Sequence, residues 1–275
     1  MTPVQQRVTV RSAGVEGAYH RLVLETPLVA ERARPGQFLA LAVGEEPTAM
    51  LLRRCFSIAA ARAGGVELLV AAAGPGSTWL TRRRPGDRVD LVGPLGGPFP
   101  DPAPGAGCVL VGGGYGAAPM LWWASELLGR GHPVALVLGA ATEGRLAGVE
   151  AARALAAEVH VATDDGSAGQ RGRVTEVLGA AIASVAARSV APPEVYGCGP
   201  MPMLRAVSEL CQGAGARAWC AVEEAMACGI GVCMTCVLPV RTADGGLRMS
   251  RTCTDGPTFD GSTIAWDEIG KVVQP

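Results

Sequence analysis

The stretch CVLVGGGYGAAPM, residues 108–120, decides how the second half of the chain is read. Four apolar residues in a row suit a strand buried on both faces, as strands of parallel sheets are. Gly112, Gly113, Gly114 and Gly116 then form a flexible turn, and APMLWWASELLGRG reads as a helix ending on glycine. Strand, glycine turn and helix open a βαβ unit. The longest apolar stretch of the chain, Cys108 to Ala124, spans this region, but the glycines and Pro119 break it. It fits a strand–turn–helix better than a membrane span.

The alternation continues downstream. PVALVLGAA and EVHVATDDG read as strands, RVTEVLGAAIASVA as a helix, PPEVYGCG as a strand and PMPMLRAVSELCQGAG as a helix. This predicts a parallel sheet covered by helices, ending near residue 216. The glycine turn has two readings. It can cradle a dinucleotide pyrophosphate, since glycine admits a close backbone approach and a helix start presents free N–H groups. It can also be a tight strand–helix turn, and its spacing is not G-x-G-x-x-G. Cys198, Gly199 and Pro200 end a later strand and are expected at the same rim as Gly113. The alternative for them is a buried thiol beside a helix that starts on proline.

Upstream, short β-rich runs (QRVTVRSA, HRLVLETP, GQFLALAV, VELLVAA, DRVDLVGP) alternate with Pro and Gly, which predicts an antiparallel barrel or sandwich. PDPAPGAG, residues 100–107, reads as a linker. Within the β-rich part, LLRRCFSIA places Arg54 and Ser57 on one strand around Phe56. Arginine pairs with phosphate, a hydroxyl meets a ring nitrogen, and an apolar side chain lies along a flat ring. AAGPGSTWL adds a second glycine turn with Gly74, Gly76 and Ser77, and GPLGGPF follows at residues 93–99.

The formal net charge is −1, which argues against a nucleic-acid binder. Positive charge is nearly all arginine, Lys271 being the only lysine. The start, MTPVQQRVTVRS, lacks the basic-then-apolar pattern of a secretory signal, so a cytoplasmic location is expected. In a reducing compartment clustered cysteines are metal ligands more often than disulfides. Five of the nine cysteines lie beyond residue 216. Four of them form the pattern Cys228-x4-Cys233-x2-Cys236-x16-Cys253, the spacing of plant-type [2Fe–2S] sites. Gly229 and Gly231 permit a tight loop whose N–H groups face the sulfurs. Zinc more often takes two separated C-x2-C pairs, and it remains the competing reading of the spacing.

Taken together, the R-x-x-S strand, the G-x-G-[ST] turn, GPLG, GGG-x-G-x-A-P and C-G-P resemble the ferredoxin-NADP reductase superfamily over residues from about 5 to 215. That resemblance implies an antiparallel β-barrel domain binding FAD, residues 1–101, and an α/β parallel-sheet domain binding a nicotinamide dinucleotide, residues 102–216. It implies that Arg54, Cys55, Phe56 and Ser57 line the flavin. Leu69, Val70 and Ala71, with Gly76 and Ser77, would wrap its ribityl-phosphate part. Residues 217–275 would be a small [2Fe–2S] module. EEAMACGIGVCMTCVLPV followed by RTCTDGPTF resembles, more narrowly, the electron-transfer subunits of NAD-linked dihydroorotate dehydrogenases. The resemblance implies a partner subunit that carries FMN and oxidises dihydroorotate, and a heterotetramer of two chains of each kind. Electrons would run through the [2Fe–2S] cluster and FAD to NAD+, in pyrimidine biosynthesis.

Four positions depart from that subfamily. Cys55 stands where proline is common, Phe56 where isoleucine is common, Ala71 where a basic residue often holds FAD phosphates, and Tyr115 where an aliphatic residue is typical. A related subunit serving another partner, such as a ferredoxin or a sulfur-reducing hydrogenase, shares most of these motifs. A colourless zinc-bearing nucleotide-binding regulator is the competitor from a different class. His20, His132 and His160 form no acid–base pattern. TRRRPGDR, residues 81–88, reads as a solvated hairpin. Cys108, Cys211, Cys220, Trp122 and Trp123 read as packing residues.

Overall fold

The computed structural model describes residues 2–45, 50–155 and 158–271. The first half forms β1 (Val4–Glu16), β2 (Tyr19–Glu25), α1 (Pro27–Arg32), β3 (Phe38–Leu41), β4 (Arg54–Ser57), β5 (Ala60–Arg62), β6 (Gly65–Ala71), α2 (Pro75–Thr81) and β7 (Arg88–Leu95). Its seven strands pair antiparallel in the order β4-β3-β7-β1-β2-β6-β5. β4, at one edge, also contacts β6 near the other edge, so the sheet curls into a barrel. Alternate residues of the strands point inward. Leu22, Leu24, Leu39, Leu41, Leu68 and Leu91 make its fully buried core.

Two short helices lie where the sequence suggested only turns. AAGPGSTWL is not a bare glycine loop: Pro75 opens α2, and the Ser77 hydroxyl accepts hydrogen bonds from the Ala73 and Gly74 N–H groups, 3.0 Å each. The basic run at Arg82–Arg84 then leads from α2 into β7, a helix–strand turn rather than a hairpin.

The second half forms β8 (Ala106–Gly113), α3 (Ala117–Gly129), β9 (Val134–Ala140), α4 (Val149–Leu155), β10 (Val159–Thr163), β11 (Gln170–Arg171), α5 (Thr175–Ala186), β12 (Ala191–Cys198), α6 (Met201–Gly213) and β13 (Arg217–Ala221). The sheet order is β11-β10-β9-β8-β12-β13-β16, parallel except for β16 (Thr258–Asp260), which runs antiparallel to β13. Strand alternation splits neighbouring residues between two layers. Cys108, Leu110, Leu136 and Tyr196 pack on Met120, Trp123 and Leu127 of α3. Val109, Val111, Val137 and Val195 pack on α5 and α6. Helices therefore cover both faces, as the parallel sheet requires.

The sheet does not stop at residue 216. RAWCA follows α6 as the next strand of the βαβ series, so β13 belongs to the parallel sheet, and the tail returns to it as β16. Between them the chain makes an excursion holding the cysteine loop and the hairpin β14 (Val237–Arg241) with β15 (Leu247–Arg251).

The two halves share a core. Tyr19, Ala59, Leu69 and Phe99 of the barrel side belong to the same buried group as α3. Phe99 stacks on Trp123 and meets Tyr196 edge to face, with centroids 6.1 and 5.9 Å apart. The linker is held by polar contacts in that core. Glu194, only 7% exposed, accepts from the Ala103 N–H and the Trp219 indole, 2.7 Å each, and Tyr196 donates to the Pro100 carbonyl at 3.0 Å. No helix among the described residues is long and apolar enough to cross a membrane.

Replacing Glu194 by Ala removes the buried carboxylate that accepts from the Ala103 N–H and the half-buried Trp219 indole. It is expected to cost about 1–2 kcal/mol in urea unfolding, with Glu194→Gln, which keeps an acceptor, losing less. Equal midpoints for all three proteins would show that this contact does not hold the linker.

Candidate functional site

A cavity of about 620 Å³ opens between the barrel and the carboxyl ends of the parallel strands. That volume is in the range of small-molecule and cofactor sites. From the barrel side it is lined by Arg54, Cys55, Phe56 and Ser57 of β4, by Leu69 and Ala71 of β6, and by Gly76 and Ser77 of α2. From the other side come Gly116, at the start of α3, and Cys198, at the end of β12. The remaining residues singled out in the sequence lie elsewhere. Val70 points into the barrel core with no exposure, because strand side chains alternate and its neighbours Leu69 and Ala71 take the cavity face. Gly112 lies against Ala117 of α3 and Gly113 against Met203 of α6, both close helix–strand approaches, and Gly114 has the Tyr19 hydroxyl of β2 beside it. Gly116 is the tightest of the four: a Cβ there would sit 2.3 Å from the Cys198 carbonyl oxygen. Gly199 and Pro200 lead into α6 outside the cavity lining, with Pro200 as its N-cap.

Charge in the cavity is unevenly placed. Arg53 is taken by an ion pair with Asp90. Arg54 has no acidic partner among the described residues and donates to the Leu52 carbonyl at 2.6 Å. Gly76 lets α2 close over it, since a Cβ there would lie 3.1 Å from the Arg54 side chain and 2.9 Å from Val43. An unpaired guanidinium beside a close-packed backbone, next to apolar Leu69 and Ala71, fits an elongated ligand with an anionic part and a flat apolar part. Across the cavity Tyr115 donates to Glu223 at 3.1 Å and meets Tyr19 edge to face. Crowding by the protein raises the Glu223 carboxyl above its ordinary range, while the Tyr115 hydrogen bond acts in the other direction. Burial likewise holds the Cys198 thiol in its neutral form.

Sequence reasoning missed the segment Val222–Met226, which lines the cavity from the end of β13. The signal was present: RAWCA continues the strand–helix alternation, and residues just past a parallel strand lie at the ligand rim.

The cysteine loop begins at once after this segment. Gly229 and Gly231 adopt φ of +71° and +82°. The turn they make aims the Ile230 and Val232 N–H groups at the Cys228 sulfur, 3.4 and 3.3 Å away. Thr235 donates to the Cys233 sulfur at 3.2 Å. Arg251 ties the loop to the turn carrying Cys253, through the Gly231 carbonyl at 3.0 Å and its ion pair with Asp255. The four cysteines fall into an outer pair, Cys228 half-buried and Cys233 exposed, and an inner pair, Cys236 and Cys253, both buried. Among the described residues no three His, Cys, Asp or Glu side chains are grouped as a single metal ion requires. The pairs differ in setting. Cys236 and Cys253 are 2% and 1% exposed and pack against Phe38, Ala40 and Leu95 of the barrel, whereas Cys233 faces solvent. Cys55 joins the inner group, where burial, followed by the thiols of Cys253, Cys236 and Cys228, pushes its own thiol up to about 12.

Comparison with known proteins agrees with this arrangement. Residues 223–265 match the family model for the iron–sulfur cluster binding domain of dihydroorotate dehydrogenase B. The chain is 38% identical, over 94% of its length and 95% of the relative's, to the electron transfer subunit of dihydroorotate dehydrogenase B (NAD(+)) from Geobacillus thermodenitrificans. It is 38% identical to the subunit of the same name from Bacillus caldolyticus, over 93% of this chain and 96% of that one. Among solved structures it is similar to an NADH-dependent reduced ferredoxin-NADP oxidoreductase, with a TM-score of 0.80 and 28% identity over 96% of this chain and 91% of that chain. A ferredoxin reductase of carbazole 1,9a-dioxygenase shares the fold, with a TM-score of 0.65 and 24% identity over 78% of this chain and 67% of that chain.

Hydrogen bonds from Thr235 bring the Cys233 thiol down to about 6. In cluster-free protein, alkylation of Cys233 by iodoacetamide is expected to rise with a midpoint near pH 6. Thr235→Val should move that midpoint up toward an ordinary thiol, about 8.5. An unshifted midpoint would show that Thr235 does not act on this sulfur.

Proposed function

Because the chain belongs to the electron-transfer subunits of NAD-linked dihydroorotate dehydrogenase B, we propose that its inter-sheet cavity holds FAD and that Cys228, Cys233, Cys236 and Cys253 ligate the [2Fe–2S] cluster. The protein is an oxidoreductase subunit: it carries electrons taken from dihydroorotate by an FMN-containing catalytic partner to NAD+. A bound flavin supplies the exchange between the two-electron hydride of a nicotinamide and the single electrons of an iron–sulfur centre.

The observation that carries the ligand assignment is the arrangement of the four thiols. A structural zinc ion draws four ligands to one tetrahedral point. A binuclear cluster divides its four thiolates between two irons, which suits two pairs of thiols. Cys228 and Cys233 would take the outer iron, and Cys236 with Cys253 the inner one. On the cavity side Arg54 would hold a phosphate of FAD. Leu69 and Ala71 present the apolar wall, and Gly76 lets α2 come close. Ala71 adds no charge of its own, so Arg54 carries that part of the binding. Gly116 and Cys198, across the cavity from β4, would border the nicotinamide side. Glu223 and Tyr115 border that side and keep a hydrogen-bonded pair there. The division into a barrel domain to about residue 101, an α/β domain and a cysteine module is kept in function, although β13 and β16 join the last two parts in one sheet.

On the outer face of the loop, Ile230, Val232 and Met234 are 51%, 76% and 51% exposed. Three such apolar side chains around the outer thiols suit contact with the catalytic partner, whose electrons must reach the cluster. A cytoplasmic location is part of the reading, since a cluster held by four thiolates suits a reducing compartment.

The test is to purify the protein anaerobically and record its absorption spectrum with flavin and iron assays. Flavin bands, a cluster shoulder bleached by dithionite and about two irons per chain are expected, followed by dihydroorotate-dependent NAD+ reduction once the partner is added. A colourless protein holding zinc would overturn the assignment. The similarity to the ferredoxin-NADP oxidoreductase supports a second reading with a different partner, and activity with ferredoxin but none with dihydroorotate would decide for it. Val232→Glu is expected to weaken association with the partner about tenfold or more in size-exclusion titration, roughly the 1.4 kcal/mol of a peripheral contact. NADH-dependent flavin reduction should be unchanged. The same elution volumes report whether two chains of each kind assemble.

A further inference from the structure

Only a thin wall separates the cavity from the inner pair of thiols. Phe38, Cys55 and Met226 both line the cavity and belong to the packed group around Cys236 and Cys253. Phe38 and Met226 offer no polar hydrogen. Cys55 does. Its backbone is fixed by pairing with Ala40 across β3 and β4. Its sulfur reaches the cysteine loop, so that a Cβ on Gly229 would lie 3.5 Å from it. Iron–sulfur potentials respond to net charge, to hydrogen bonds on the sulfurs and to solvent exposure. A thiol is a weak donor, and this one sits where it can address the cluster from the cavity side.

We propose that Cys55 is a positioning residue that sets the cluster's potential relative to the cofactor in the cavity. It is neither oxidised nor reduced and forms no bond to iron. Its S–H stabilises the more negative, reduced cluster. Proline at this position would supply neither the donor nor the sulfur. The proposal rests on the FAD and [2Fe–2S] reading above.

The test uses the full-length protein with its cofactors and measures the cluster's midpoint potential by EPR-monitored redox titration. A hydroxyl is a stronger donor than a thiol and a methyl is none, so the potentials are expected in the order Cys55→Ser, unaltered protein, Cys55→Ala, from highest to lowest. The span between the variants should be about tenfold in the one-electron equilibrium, or 59 mV. Met226→Leu, which removes a sulfur but no polar hydrogen, should leave the potential unchanged. Should Ala cost the cluster its iron, the Ser variant still decides by its shift upward. Potentials that coincide, or Ser and Ala shifting in the same direction, would overturn the role of Cys55. Flavin and iron in the unaltered protein test the underlying reading separately, so failure of one is not mistaken for failure of the other.

Discussion

The cysteine loop is pinned at its neck, and the site depends on that closure. The chain leaves the parallel sheet at Ala221 and rejoins it at Thr258, and the two ends are tied by the Val222 N–H to the Pro257 carbonyl at 3.0 Å. The barrel takes hold of the same point, since the Gly97 N–H donates to the Gly256 carbonyl at 2.7 Å. Gly96 makes the approach possible: its φ is +74°, and a Cβ there would lie 2.7 Å from Pro257. One backbone junction thus fixes three parts of the chain together. The thirty or so residues between its ends have little core of their own and take their position from it.

With the neck closed, the inner thiols lie against β3 and β7 of the barrel, and Val222–Met226 becomes a wall of the cavity. The shared core around Phe99, Trp123 and Tyr196 holds the two larger parts in fixed relation, so the cavity between them is largely preformed. Preformed sites lose less freedom on binding. For a protein whose task is electron transfer, held distance is the contribution the chain can make.

Much of this was legible in the sequence. Near-continuous apolar runs separated by helix-period segments gave the parallel sheet, and period-two runs broken by Pro and Gly gave the barrel. Other features were not. VELLVAA was expected to offer Leu69, Val70 and Ala71 together, but a strand shows alternate residues to one side, and Val70 is in the core. RAWCA was assigned to the tail because the cysteines after it dominate the composition, yet pairing with β12 places it in the sheet. The approach of Cys55 to Cys236 and Cys253 spans nearly two hundred positions and depends on the neck. Local spacing carries no trace of such a contact, and only the folded chain reveals it.

The central claim is that the cavity and the cysteine loop form one continuous path with the cavity nearer the nicotinamide. It is tested most directly by anaerobic stopped-flow with NADH, following flavin and cluster absorbance in the unaltered protein and in Cys253→Ala. The account predicts flavin bleaching first and cluster bleaching second. It also predicts that Cys253→Ala keeps the flavin phase and loses the cluster phase. Cluster bleaching that precedes the flavin phase, or that persists at full amplitude in Cys253→Ala, would contradict it.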